Sequence, residues 1–203
     1  MEKIGPEVHY EKASFIHSSV HLYGKILLED GVSIWPQAVM RAESDEIMIG
    51  RHSNIQDFVM IHVGEKTGVH IGAYCSITHH CVIHGATIED NCLIGIGARV
   101  TDACVVGRNS IVAGGSFLKE GTIIPENSIV VGTPGKVIRT QNNWVSNRYN
   151  AWIYQKNALA YAQGSDRIWA DANYQKEAEA EMQRLKNEFL KSQEAESRGA
   201  GED

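Results

Sequence analysis

The chain has 203 residues, of which 43% are hydrophobic, and a formal charge of −6 at neutral pH. This length is sufficient for one domain with a full hydrophobic core. Its 19 lysines and arginines are scattered rather than clustered, which argues against nucleic acid or an anionic membrane as a partner. No apolar run is long enough to span a bilayer, and the first residues lack the apolar core of a secretory signal. We therefore expect a soluble, cytoplasmic protein.

Aliphatic residues recur at every sixth position through most of the chain, with short insertions around residues 44–46 and near Lys66. A helix would repeat its apolar residues at three and four positions, and a flat strand at two. A strict period of six is typical of a hexapeptide β-solenoid, in which short strands meet at corners, three to each coil. The positions are Ile16, Leu22, Leu28, Ile34, Met40, Ile49, Ile55, Ile61, Ile71, Ile77, Ile83, Ile88, Ile94, Val100, Val106, Val112, Leu118, Ile124 and Val130.

Small residues fall at fixed places in this repeat. Glycines that directly follow an aliphatic position fit tight corners: Gly50, Gly72, Gly95 and Gly107. The four cysteines each lie four residues after an aliphatic position, at the second inward site of a hexad, and contain no C-x-x-C pair: Cys75, Cys81, Cys92 and Cys104. We expect packed thiols rather than disulfides or metal ligands.

The repeat closes with the turn-rich sequence V-V-G-T-P-G-K-V-I-R at residues 130–139. This predicts a β-solenoid domain over residues 10–139 and a helical region over residues 140–203. One helix over residues 143–162 should pack on the solenoid. A second, charged helix over residues 172–196 carries a narrow apolar stripe (Ala178, Met182, Leu185, Phe189), so it is either an oligomer contact or part of a mobile tail.

Counting hexads places Arg41, His62 and His84 on top of one another, because each follows an aliphatic residue of the same column. Strands of adjacent coils lie about 4.8 Å apart. Two nitrogen ligands of one tetrahedral zinc are roughly 3.3 Å apart, given zinc–nitrogen distances near 2.0–2.1 Å. His62 and His84 can therefore share one metal ion with only a small lean of their rings.

Asp57 and His79 stack in the same way, but one column earlier, at a different corner of the cross-section. A single chain would have difficulty bringing His79 to the other two histidines, whereas a neighbour related by a threefold axis could supply it. The alternative is that all three are polar residues on a solvated face. His80 points to the other side of the strand, and the remaining histidines are expected on the surface (His9, His17, His21, His52, His70).

The combination of N-I-Q-D at 54–57, His62, and H-H-C-V-I-H-G at 79–85, ahead of V-V-G-T-P-G-K-V-I-R, resembles the gamma-class carbonic anhydrase family over residues 10–139. The resemblance implies a left-handed parallel β-helix that forms a homotrimer with metals at the subunit interfaces. His62 and His84 of one subunit and His79 of its neighbour would be the ligands of Zn²⁺, with Fe²⁺ or Co²⁺ possible.

The resemblance also assigns roles to the surrounding residues. Arg41 and Asp57 would form an ion pair between subunits, Gln56 would hold the metal-bound water, and Asn54 would line the same pocket. The chain reads R-A-E at 41–43 where many relatives read R-G-D, so Glu43 stands in with a longer side chain.

The family's active prototype has a long acidic loop with a proton-shuttling glutamate, and only G-E-K-T-G-V-H-I-G at 64–72 occupies that place here. Glu43 and Tyr161 are the remaining candidates for moving the proton.

The implied reaction is reversible hydration of CO₂ to bicarbonate by a metal-bound hydroxide. Two alternatives remain, one enzymatic and one structural. Hexapeptide solenoids include acyltransferases, and the same metal chemistry could hydrolyse acyl-CoA thioesters. The third possibility is a structural trimer held together by its metal, with little catalytic activity.

Overall fold

Short parallel strands, each centred on one aliphatic position of the repeat, make up most of the molecule. The computed structural model of the chain describes residues 3–10, 12–13 and 15–199. In chain order the strands are β1 (Val8–Tyr10), β2 (Phe15–Ile16), β3 (His21–Leu28), β4 (Ser33–Ile34), β5 (Val39–Ile49), β6 (Asn54–Ile55), β7 (Met60–His62), β8 (Val69–Ile71), β9 (Ser76–Ile77), β10 (Val82–His84), β11 (Thr87–Ile88), β12 (Leu93–Ile94), β13 (Arg99–Val100), β14 (Val105–Val106), β15 (Ile111–Val112), β16 (Phe117–Leu118), β17 (Ile123–Ile124), β18 (Ser128–Val131) and β19 (Lys136–Thr140).

These strands form the three faces of a parallel β-solenoid of about seven coils, as the period of six predicts. The first face contains β8, β11, β14 and β17, the second contains β2, β4, β6, β9, β12, β15 and β18, and the third contains β7, β10, β13 and β16. The long strands β3 and β5 each run from the third face into the first. Antiparallel β19 covers the end of the second face.

The inward positions of the repeat form one continuous core. Every aliphatic position predicted from the period is buried except Ile16, which packs against the core at its edge. The four cysteines are free, buried thiols, as predicted, and burial raises the pKa of Cys81 to about 11. The six-residue period therefore identified the core correctly.

An insertion in a repeat is expected to loop out of its coil, but the insertion at residues 44–46 does not. It is absorbed within β5 as a register shift, because Gly24 pairs with Ala42 while Ile26 pairs with Ile47. The additional residues stay extended at the rim of the solenoid, next to Glu43. The effect is to place Glu43 beside His62 of the next coil.

Two helices follow the solenoid, within a few residues of the predicted bounds: α1 (Trp144–Ala162) and α2 (Ala172–Gly199), with a 3₁₀ turn at Ile168–Ala170 between them. Helix α1 packs on β2, β4, β6 and β9 of the second face. Asn147 anchors its first turns by donating hydrogen bonds from Nδ2 to the Asn91 and Ser110 carbonyls, at 2.9 and 3.2 Å.

Helix α2 packs on α1 through its apolar stripe. Leu185 is buried there, Ala178 is nearly so, and the Phe189 ring stacks on Trp144 with centroids 6.1 Å apart. The last four residues of the helical region, 200–203, lie outside the described residues, so the prediction of a mobile tail is not tested there. Among the described residues, neither helix combines the length and apolarity that crossing a membrane requires.

The corner glycines are required for a different reason from the one the sequence suggested. None of these four glycines has a positive φ angle: Gly50, Gly72, Gly95 and Gly107. Many of the positions with a positive φ are instead occupied by residues other than glycine, among them Asn91, Asn109 and Asn127. A Cβ added at Gly95 would lie 2.5 Å from the backbone nitrogen of Gly114 on the next coil. Close approach between coils, rather than torsional freedom, excludes a side chain there.

We predict that Gly95→Ala lowers the free energy of unfolding by more than about 2 kcal/mol, because the methyl group must push two coils apart. Gly97→Asn is the matched control, since Gly97 has a φ of 68° and a Cβ there would meet nothing within 4 Å. Asparagine tolerates that conformation, so the control should lose less than about 1 kcal/mol. Urea unfolding of both variants measures the difference, and equal losses would contradict the close-approach explanation.

Candidate metal centre

His62 and His84 stand on adjacent coils at the corner between the third and first faces. They end strands β7 and β10 and pair directly in the sheet, with Arg41 of β5 paired to His62 on the other side. The two rings have centroids 5.0 Å apart, and Nδ1 of His62 lies 3.1 Å from Nε2 of His84. That separation is within hydrogen-bond distance and is also close to the roughly 3.3 Å between two nitrogen ligands of one tetrahedral ion. The predicted stacking of this pair is therefore confirmed.

A carboxylate lies against the other nitrogen of each ring. Glu43 Oε2 is 3.1 Å from His62 Nε2, and Asp102 Oδ2 is 2.7 Å from His84 Nδ1. Histidines that bind metals nearly always donate their second ring N–H to such an acceptor, which sets the tautomer and the ring orientation. With these bonds in place, the facing nitrogens are the ones left to bind a metal. The donor set fits an ion that prefers imidazole.

His79 lies at a different corner, between the second and third faces, as the spacing predicted. Its Nδ1 is 3.0 Å from Asp57 Oδ2 on the preceding coil, so it too has a carboxylate behind it. Its Nε2 is 3.4 Å from the hydroxyl of Tyr154 on α1. Within the described part of a single chain, no group of three or more His, Cys, Asp or Glu residues converges to hold a metal. One chain thus brings together two of the three predicted ligands.

The Tyr154 hydroxyl is a hydrogen-bond donor at this corner. Burial, with a smaller contribution from the charge of Asp57, raises its pKa to about 12, so it stays protonated at neutral pH. It can therefore donate to His79 Nε2. Tyr154 was not among the candidates identified from the sequence.

Arg41 and Asp57 do not contact each other within the chain. Arg41 hydrogen-bonds to Glu43 two residues away, and Asp57 pairs with His79. Partial burial acts to raise the pKa of the Glu43 carboxyl, but a backbone hydrogen bond, Arg41 and His62 together lower it below its ordinary value. Glu43 is thus an ionised acceptor beside His62.

Asn54 and Gln56 are both buried on the second face, which α1 covers. Nε2 of Gln56 donates to Oδ1 of Asn54 at 2.9 Å, and Nδ2 of Asn54 donates to the Ser76 hydroxyl at 3.0 Å. These bonds hold both amides in one orientation directly before the corner at Asp57. Among the described residues of one chain, neither amide forms a hydrogen bond with His62 or His84.

Tyr161 lies in an aromatic cluster rather than against a predicted ligand. Its ring centroid is 5.1 Å from Trp35 and 5.8 Å from Phe15. Trp35 in turn contacts Tyr154, at 5.6 Å. Within one chain, Tyr154 rather than Tyr161 is the tyrosine that reaches a predicted ligand.

Asp102 is the second residue that the sequence reasoning missed. It follows Val100, which pairs with Ile83, by two residues, so the same counting that stacked the histidines could have placed it at the corner of His84. The signal was present in the repeat. For Tyr154 there was none, since nothing in a helical sequence states which corner the helix will cover.

Of the histidines expected on the surface, His9 and His70 are exposed, whereas His17, His21 and His52 are partly buried. Among the described residues, His52 is the one of these three that hydrogen-bonds to α1. It is half-buried beneath α1, and its Nδ1 lies 3.0 Å from Nε2 of Gln155. Burial, followed by the charges of Arg51 and Arg148, lowers its pKa. The expectation of a surface position is therefore wrong for His52, because the sequence did not reveal that α1 passes over this corner.

Comparison with known protein families supports the repeat and identifies relatives. The family model described as bacterial transferase hexapeptide (six repeats) matches residues 85–120. A probable carbonic anhydrase of Methanocaldococcus jannaschii is 39% identical over 137 residues, which cover 66% of this chain and 86% of that protein. The Carnitine operon protein CaiE of Escherichia coli K12 is 32% identical, over 68% of this chain and 69% of its own length.

Gamma carbonic anhydrase 2, mitochondrial, of Arabidopsis thaliana is 35% identical over 64% of this chain, and the chain spans about half (49%) of that relative. Among solved structures, a hexapeptide transferase family protein from Anaplasma phagocytophilum has a TM-score of 0.69 and 28% identity. The match covers 81% of this chain and 99% of the other.

We predict that Asp102→Asn lowers the affinity for Zn²⁺ by about 10- to 100-fold, because His84 loses the carboxylate that sets its tautomer and orientation. Asp90→Asn makes the same chemical change at a corner away from the histidines, where Asp90 accepts a backbone hydrogen bond from Ala73, and should leave the affinity within about twofold. Competition titration with a chromophoric chelator measures both values. Equal affinities in the two variants would contradict the assigned role.

Proposed function

Because the chain belongs to the gamma-class carbonic anhydrase family of hexapeptide-repeat proteins, we propose that it is a metal-dependent enzyme that reversibly hydrates CO₂ to bicarbonate. The observation that carries this proposal is the His62–His84 pair. Two ring nitrogens face each other at 3.1 Å, and each ring is held by a carboxylate on its other side. This is the arrangement that a shared ion requires.

The proposal places the complete site between subunits of a homotrimer, with His79 of a second copy as the third ligand. His79 is at a separate corner of its own chain and has the same carboxylate support, from Asp57. A closed threefold ring brings one corner of each subunit against a different corner of the next. To bind there, His79 would give up its 3.4 Å contact with the Tyr154 hydroxyl. Arg41, which is exposed beside His62 and paired with Glu43, would then meet Asp57 of the neighbouring copy.

A Zn²⁺, Fe²⁺ or Co²⁺ ion bound by three imidazoles would supply a Lewis acid strong enough to lower the pKa of water to near neutrality. The residues of the chain set the histidine tautomers and orient the reacting water. Asp57 and Asp102 keep the proton on Nδ1 of their histidines, and Glu43 keeps it on Nε2 of His62, so the opposite nitrogens remain free. The Gln56 amide, fixed by Asn54, orients the reacting water.

Proton transfer to solvent is assigned to Glu43, with Tyr161 as the second candidate. Glu43 is half exposed and lies 3.1 Å from His62, so it connects the site to water. Its lowered pKa makes it a weak proton acceptor near neutral pH, since acceptors work best when their pKa is close to the working pH. We therefore expect slow turnover in weakly buffered solution, with added imidazole buffer raising the rate.

Acyl transfer or acyl-CoA thioester hydrolysis is the second candidate function. It is favoured by the likeness to the hexapeptide transferase family protein from Anaplasma phagocytophilum. A metal-containing trimer with no hydration activity would direct attention to acyl-CoA substrates. If those also failed to react, a structural role for the trimer would remain.

We predict that protein loaded with Zn²⁺ or Fe²⁺ hydrates CO₂, and that His62→Ala loses at least about 100-fold of this activity because one ligand is gone. Stopped-flow assays on protein of known metal content, prepared anaerobically for iron, make the measurement. His70→Ala is the control, since His70 is exposed on the first face and should retain full activity. Full occupancy with no hydration in the unaltered protein would refute the proposal.

For His79→Ala we expect metal affinity and trimer stability to fall together, because the side chain would cross the interface. Metal content by elemental analysis and mass by sedimentation velocity are measured on the same samples. If the variant retains one metal ion per chain, the proposed sharing of the site between subunits is wrong. His80→Ala is the neighbouring control, whose ring stacks on Phe58 at 4.9 Å and should leave metal content unchanged.

A further inference from the structure

A cavity of about 360 Å³ lies between α1, α2 and the corner that joins the first face to the second. His52 and Tyr74 line it from the solenoid, Arg148 and Trp152 from α1, and Leu185 from α2. This corner is the third one of the cross-section, separate from the corner of His79 and from that of His62 and His84. Its volume is in the range of pockets that hold small ligands.

Arg148 is a half-buried cation in the lining of this cavity. Its guanidinium carbon sits 3.4 Å from the centroid of the Tyr74 ring and 5.2 Å from that of Trp144. Among the described residues, no carboxylate forms an ion pair with it. Burial lowers its pKa from the ordinary arginine value, and Tyr74 and the charges of Glu188 and Asp90 partly offset this effect. An arginine stays charged at neutral pH. A guanidinium in this position has N–H donors suited to a carboxylate or phosphate.

The other arginine of the cavity is satisfied. Arg184 binds Glu181 and Glu188 on its own helix, at 2.7 Å each. The acidic groups of the cavity are thus already committed to Arg184. The two arginines and two glutamates of the lining balance in formal charge, but both glutamates bind Arg184. Arg148 is therefore the arginine of the lining that has no carboxylate ion pair among the described residues.

His52 adds a neutral donor to the same lining. The Gln155 amide donates to His52 Nδ1 at 3.0 Å, which leaves the ring proton on Nε2. Burial, Arg51 and Arg148 all lower the pKa of this histidine, so it is uncharged at neutral pH. Ala151, Trp152 and Leu185 form the apolar part of the lining, and Trp152 is the one of the three whose side chain is partly exposed. The cavity therefore combines an anion-binding side with an apolar side.

We propose that this cavity binds a small organic anion, whose carboxylate or phosphate group contacts Arg148 and whose flat apolar body packs against Trp152. The site is independent of the proposed CO₂ chemistry, since none of its residues contacts the predicted metal ligands. Its ligand holds α2 and α1 against the solenoid, because the lining comes from all three.

Benzoate and phenyl phosphate are the probes, titrated into the full-length protein by isothermal calorimetry with Trp152 fluorescence as a second signal. We expect saturable binding of at least one probe, and the tighter of the two identifies the source as a carboxylate or a phosphate. Arg148→Gln should weaken it by about tenfold or more, as expected for loss of a charge-assisted hydrogen bond. Arg108→Gln is the matched control, an exposed arginine at the same corner paired with Glu89 and Glu126, and should change affinity by less than about twofold.

Glu188→Gln tests the charge argument in the opposite direction. Removing this carboxylate should tighten binding by a few fold, because less negative charge faces the anion. This variant also decides the matter if Arg148→Gln fails to fold, and an unchanged or weaker affinity would overturn the proposal. His62→Ala should bind the probes normally, which separates this site from a metal centre.

Absence of binding by both aromatic probes would overturn the proposal, as would equal affinity in Arg148→Gln and Arg108→Gln. Acetate and inorganic phosphate serve as probes without an apolar body. If they bind as tightly as benzoate and phenyl phosphate, the proposed packing of the ligand against Trp152 is wrong.

Discussion

Hydrogen bonding between successive coils is the interaction on which the rest of this structure depends. Each short strand pairs in parallel with the strand one coil away, so equivalent residues of the repeat stack in columns. Ile61 pairs with Ile83, and the residues that follow them, His62 and His84, pair as well. A short local repeat thereby becomes a set of long-range contacts. The inward aliphatic side chains that accompany this pairing provide the buried core.

The same pairing restricts what each corner can contain. Where coils approach most closely, at Gly95 for example, there is no room for a Cβ. Other corner residues adopt left-handed conformations, and buried asparagines there bond to one another from coil to coil, as Asn91 does to Asn109 at 3.0 Å. The carbonyls of that ladder also receive the side chains of Asn143 and Asn147, which fix the start of α1. The corner geometry therefore determines where the helices begin.

Electrostatic organisation differs between the corners. Glu43, Asp57 and Asp102 each hold one nitrogen of a histidine, so acidic groups concentrate near the candidate metal centre. At the corner of His52 the charges balance, but Arg184 binds both neighbouring glutamates, and Arg148 has no carboxylate ion pair among the described residues. A triangular solenoid provides three separate edges, and the two proposed ligand sites lie at different ones. Their separation allows each to be altered without disturbing the other.

The six-residue period by itself determined the solenoid, its core and the stacking of Arg41, His62 and His84 and of Asp57 with His79, because a residue's column follows from counting. It also contained the position of Asp102, although the motif drew attention to histidines alone. What only the tertiary structure decided is where the chain departs from the repeat. The register shift in β5 that brings Glu43 to His62, and the docking of α1 that brings Tyr154 to His79 and covers His52, depend on side-chain packing between segments far apart in the chain. Contacts of that kind do not recur with the six-residue period, so they cannot be predicted from spacing in the sequence.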